Sequence, residues 1–171
     1  MYRLTTILNP KLLRRFLPIL LFSFYGCLTA LAASSQLSSV NCVQPLSFGA
    51  FSQGNLGGTI SISTEGFRTV TGSVVPLSLG VNYCPAVFEI EAPEGTVISV
   101  MNGGNTTLVG SNGGSMLLQV GTSSPQSPFA VSIPPPGTTK VTIGGTLTIG
   151  SPAQNPPGNY SGTFSITFNN E

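Results

Sequence analysis

Tyr160-Ser161-Gly162-Thr163-Phe164-Ser165-Ile166-Thr167-Phe168 decides the fold class of this chain. Aromatic and aliphatic residues, with Gly162 in their register, alternate with Ser and Thr from the first position to the last. Successive side chains on an extended strand point to opposite faces, so a period of two means one buried face and one solvated face. Shorter runs repeat the pattern upstream: Thr59–Ser63, Val87–Glu91, Lys140–Ile143 and Thr146–Ile149. Less regular strand candidates are Leu46–Phe51, Thr69–Leu79, Thr96–Met101, Thr106–Val109, Met116–Val120 and Phe129–Ile133.

Turn chemistry separates these runs. Gly57-Gly58, Glu65-Gly66, Pro93-Glu94-Gly95, Asn102-Gly103-Gly104, Asn112-Gly113-Gly114 and Asn155-Pro156-Pro157-Gly158 supply a positive or a fixed φ. No stretch past residue 32 holds a 3.6-residue period for ten positions. About ten short strands with turns between them predict an all-β, antiparallel β-sandwich, Ig-like or pilin-like. Segment 121–138, with Pro134-Pro135-Pro136-Gly137 near its end, reads as an exposed loop or edge.

The N-terminus is of a different kind. Arg3, Lys11, Arg14 and Arg15 precede an apolar run from Phe16 to Leu31, followed by small residues through Ala33. Basic, apolar and small-residue regions in that order predict a signal peptide over residues 1–32 and one domain over 33–171. A retained anchor and a lipoprotein at Cys27 are the alternatives. Residues 33–41 read as a short leader.

Without residues 1–32 the chain keeps two cations, Arg68 and Lys140, against Glu65, Glu89, Glu91, Glu94 and Glu171, a net charge of −3. Two isolated cations cannot neutralise a run of phosphates, so neither nucleic acid nor anionic lipid is an expected partner. No stable membrane insertion is expected after cleavage. Cys42 and Cys84 remain as a pair, and an oxidising compartment favours their disulfide over two buried thiols. A loop of about 40 residues closed in this way would stabilise by about 4 kcal/mol in the chain-entropy model.

Catalytic vocabulary is thin. The chain has no His and no Asp, which removes Ser-His-Asp triads and aspartic dyads. Glu89 and Glu91 share one strand face, where a glycosidase pair must stand across a cleft. No Lys follows a Gly-rich turn as a phosphate loop requires. No enzyme activity, cofactor or metal is expected. Charged residues make up 6% of the chain, far below the usual quarter, which suits a surface that sits in an assembly.

Cys42-Val43-Gln44-Pro45-Leu46-Ser47-Phe48-Gly49 resembles the opening of spore coat protein U-type and pilin-like domains. The ending Gly145–Ile149 with Pro157–Phe164 is similar to the close of a secreted bacterial family, domain of unknown function number 4402. The resemblance covers about residues 42–168, nearly all of the chain past the signal. Chaperone–usher pilins carry a glycine fourteenth from the end, then apolar residues eighth, sixth and fourth from it. Gly158, Phe164, Ile166 and Phe168 stand at those positions, and Asn170 stands where that motif has an aromatic.

The resemblance implies an exported structural subunit of a fimbria-like or coat-like assembly at the cell surface. Its partner would be a second copy or a periplasmic chaperone, engaged through the strand of Gly158, Tyr160, Phe164, Ile166 and Phe168. The alternative is a secreted adhesin or carbohydrate-binding module that acts as a self-complete monomer.

Overall fold

The computed structural model describes residues 36–171. The signal peptide expected over residues 1–32, and Cys27 within it, lie outside the described residues. Thirteen strands and no helix occur among the described residues. They are β1 (Ser39–Gln44), β2 (Ser47–Phe48), β3 (Ala50–Ile62), β4 (Arg68–Leu77), β5 (Tyr83–Cys84), β6 (Ala86–Glu91) and β7 (Val97–Asn102). There follow β8 (Thr106–Gly110), β9 (Ser115–Ser124), β10 (Phe129–Ala130), β11 (Thr139–Ile149), β12 (Tyr160–Ser161) and β13 (Ile166–Asn170). All pairings are antiparallel, the class that the alternation predicts.

β11 is the spine. Thr139–Ile143 pairs with β6, Gly145–Ile149 pairs with β3, and the opposite edge takes β9. Sequence reading breaks this strand at Gly144-Gly145; the chain instead continues as one strand, with a register shift against β9 between Ile143 and Gly145. The glycines serve close approach, since a Cβ on Gly144 would lie 2.2 Å from the Ile62 carbonyl oxygen. Side chains alternate along it, with Val141, Ile143, Leu147 and Ile149 all buried. The large sheet has the order β1-β6-β11-β9-β8-β12, with β3 joined to β11 and β4 to β3. A three-stranded sheet, β10-β7-β13, and the short pair β2-β5 complete the fold. The main sheets divide eight and three, where an immunoglobulin constant domain divides four and three.

Two apolar clusters result. The first gathers Ile60, Ile62, Val74, Leu108, Met116, Leu118, Leu147 and Ile149 on the face of the large sheet, with Phe48 over them. The second holds Ala86, Ile90, Val141 and Ile143 of the large sheet against Ile98 and Phe129 of the small one. Burying each Ile or Leu fully contributes about 1.5–3 kcal/mol, so these clusters carry the fold. Leu46 and Phe164 pack against both.

Four expectations change. The terminal alternation is not one strand: Tyr160-Ser161 pairs with β8, whereas Ile166–Asn170 crosses to the other sheet and pairs with β7. Alternation fixes which side chains are inward and leaves the choice of partner strand open. At the crossing, a Cβ on Gly162 would sit 2.7 Å from the Thr107 carbonyl oxygen. The leader 33–41 contributes to β1, whose residues pair with β6 from Ser39↔Glu91 to Gln44↔Val87. Segment 121–138 is loop only in part, because β9 runs to Ser124 and Phe129 and Val131 are buried.

The fourth is the bridge. Cys42 and Cys84 are free thiols. Cys42 pairs with Phe88 of β6 and Cys84 with Ser47 of β2, in two separate ladders. Their thiols instead donate to the adjacent carbonyls of Gln44, at 3.6 Å, and Pro45, at 3.5 Å.

Candidate functional site

The small sheet covers only the second cluster. Over the first, a groove of about 580 Å³ opens between two stretches of chain. Its floor is Leu108, Met116, Leu118 and Leu147, residues that belong to the core. One wall is Leu46–Phe51, in which β2 pairs with β5. The other is Pro156–Gly162, in which β12 pairs with β8. Both wall strands are only two residues long, and each is paired along one edge alone among the described residues.

Polar contacts fix the second wall. The Asn155 side chain is 2% exposed. Its Nδ2 donates to the Ser115 carbonyl at 2.6 Å, and its Oδ1 accepts from the Gly150 amide. Gln53 Nε2 donates to the Asn155 carbonyl and so ties β3 to the start of this wall. Further along, Asn112 Nδ2 donates to the Pro157 carbonyl at 2.7 Å, and the Ser111 amide donates to the Asn159 carbonyl at 2.8 Å. Tyr160 folds its hydroxyl back to donate to the Pro156 carbonyl at 2.7 Å. Its ring lies on Gly110, where a Cβ would come within 2.7 Å of the ring carbon Cε1. Tyr160 is thereby held upright, its ring packed against the first cluster.

The sequence-predicted assembly residues separate. Gly158, Tyr160 and Phe164 line the groove. Ile166 and Phe168 leave it and pack into the second cluster, where the Phe168 ring lies 5.3 Å from that of Phe88, tilted by 58°. Cys42 is exposed on β1 and Cys84 half-buried on β5. Sequence reading missed Gln53, Asn155 and the groove floor. The Gln53–Asn155 contact spans 102 residues, and no local pattern announces so distant a polar pair. The floor residues carry an ordinary core signature, and nothing in their spacing marks which of the core residues a groove reaches.

Chemically the groove is neutral. None of its lining side chains is charged, and apolar residues continue to the mouth, where Leu79 and Val81 are 69% and 56% exposed. Such a site can take up apolar groups and offer backbone hydrogen bonds along its walls.

A family model described as a domain of unknown function, DUF4402, matches residues 38–169. No curated protein and no solved structure matches the chain.

Proposed function

As the chain belongs to the DUF4402 family, whose description names no activity, we propose from the geometry that it is an exported, non-catalytic structural subunit whose groove receives an extended segment of another copy. One observation carries this reading: a groove floored by core residues Leu108, Met116, Leu118 and Leu147 runs between two short strands that each have an unpaired edge. An inserted strand would pair with those edges and place alternate side chains on the apolar floor, which is strand addition. Covering the exposed apolar side chains at the mouth, Leu79 and Val81, returns about 25 cal/mol per Å² of apolar surface. The low charge of the chain and the likeness of Cys42–Gly49 to spore coat protein U-type openings support the same reading.

Export follows from the basic and apolar pattern of residues 1–32. The absence of His and Asp from the chain supports a non-catalytic role.

The test is light scattering and a non-boiled gel on the secreted protein, with Ser161→Trp as the variant. Ser161 is exposed and lines the groove, so a bulky ring there blocks it without entering the core. Multimers that vanish in Ser161→Trp, with its melting temperature kept, are the expected result. A monomeric wild type, or multimers unaffected by the substitution, would reject the reading. A second reading, a monomeric binding module, is favoured by the groove volume, which falls within the range of small-molecule pockets. Specific retention on a glycan array by a monomer would decide for it.

A further inference from the structure

Arg68, at the first position of β4, is one of two cations in residues 36–171, against five glutamates. The ion pair among the described residues is the other one, Lys140 with Glu89 at 4.0 Å. Arg68 has no carboxylate partner among the described residues. Its Nη1 donates to the carbonyls of Phe48, at 3.2 Å, and Ala50, at 3.3 Å. Its guanidinium carbon stands 4.2 Å from the centre of the Tyr83 ring. Two carbonyls and a ring face therefore hold one half-buried guanidinium in a single orientation.

The hydrogen-bond arithmetic leaves a fork. A guanidinium has five N–H donors in a plane, and Nη1 supplies two of them. The Nε and Nη2 edge keeps its two parallel donors, the pattern that matches both oxygens of one carboxylate. Arg68, Tyr83, Ser78 and Asn82 line a second cavity of about 460 Å³, with Leu77 and Val81 as apolar walls. The side chains of Ser78 and Asn82 hold no hydrogen bond among the described residues and are exposed.

We propose that this cavity binds a small hydroxylated carboxylate of the uronic-acid class, with its carboxylate on the Nε–Nη2 edge of Arg68 and its hydroxyls on Ser78 and Asn82. A concave site of this size suits a sugar-sized ligand. A single fixed fork suits a monoanion, since a phosphate dianion in so acidic a chain would call for more than one cation. Because Arg68 is already oriented, little rotamer freedom remains to be lost on binding. The cavity lies beside the groove, sharing Val81 as a lining residue and touching its first wall through the Arg68 bonds to Phe48 and Ala50, but the inference needs no second copy and so does not rest on the assembly reading.

The experiment is an NMR titration of the secreted protein with glucuronate, followed at the Arg68 Nε–H signal, with glucose as the neutral control. A saturable shift with a Kd of about millimolar order is expected from a ligand of this size, and none with glucose. Arg68→Lys, followed at the Asn82 side-chain amide signals, keeps the charge, loses the fork, and weakens binding about tenfold. Asn82→Ala weakens it by a smaller factor and leaves the Phe48 and Ala50 contacts in place, which covers the case of a poorly folded Arg68 variant. No saturable shift, an equal response to glucose, or full affinity in both variants would overturn the proposal. So would an Nε–H signal that moves with protein concentration alone, which would assign the carboxylate to a second copy.

Discussion

Replacing Asn155 by Ala tests the polar scaffold behind the groove. Asn155 is 2% exposed, and its side chain makes one contact across the fold, with the Ser115 carbonyl, and two local ones, with the Gly150 amide and with the Gln154 carbonyl at 3.1 Å. Ser115 is exposed, so water replaces Asn155 at its carbonyl, and only the net worth of that bond, about 1 kcal/mol, is lost. Gly150 is half-buried, and an unmet amide there costs about 1–2 kcal/mol. The total is about 2–3 kcal/mol. For a domain of this length, 1 kcal/mol corresponds to about 3 °C, so Asn155→Ala should melt about 6–9 °C lower.

Circular dichroism melts and urea titrations measure this loss, with the urea slope unchanged if the folded state stays compact. Asn155→Asp is the sharper control. A carboxylate can still accept from Gly150 but faces the Ser115 carbonyl without a donor, so the variant should lose more at pH 7 than at pH 4, where protonation returns a donor. An alanine variant within 1 °C of wild type, or an aspartate variant as stable as wild type at pH 7, would refute the account.

Thr96 is 1% exposed and its hydroxyl has no hydrogen-bond partner among the described residues, so Thr96→Val should raise stability by about 1 kcal/mol in urea unfolding. In a timed Ellman reaction on native protein, exposed Cys42 should react first and half-buried Cys84 second; a protein without reactive thiol would reinstate the bridge expected from sequence. The Thr64 hydroxyl, donating at 2.6 Å, and then Ser63 hold the Glu65 carboxyl below its ordinary 4.5. A depressed carboxyl supports the fold above its unfolded pKa and loses that support as pH falls through the folded value, so the window lies below 4.5. Thr64→Val should move the Glu65 midpoint upward in a carboxyl ¹³C titration.

Periodicity located β6, the second half of β3 and both halves of β11, because each has one face in a cluster and the other in solvent. It failed where burial does not alternate. Four consecutive residues of β1, Val40 to Val43, are exposed, and the strand exists because β6 offers its backbone edge. Gly144-Gly145 fell between two separate runs, and only the close approach of the Ile62 carbonyl explains why glycines stand inside a continuous strand. Arg68 looked like an isolated charge, since its partners Phe48, Ala50 and Tyr83 are joined to it by folding alone. Of the groove, the terminal pattern picked out Gly158, Tyr160 and Phe164 and left the floor unmarked.

The crossing at residues 162–165 has a mechanical consequence. Tension applied to the chain beyond Asn170 is borne first by the β13–β7 ladder, and β12 feels it only after that ladder has parted. The two anchors lie in different sheets, so the end of the polypeptide yields in two separate ruptures, and the first of them leaves β12 on β8 with its side of the groove still standing.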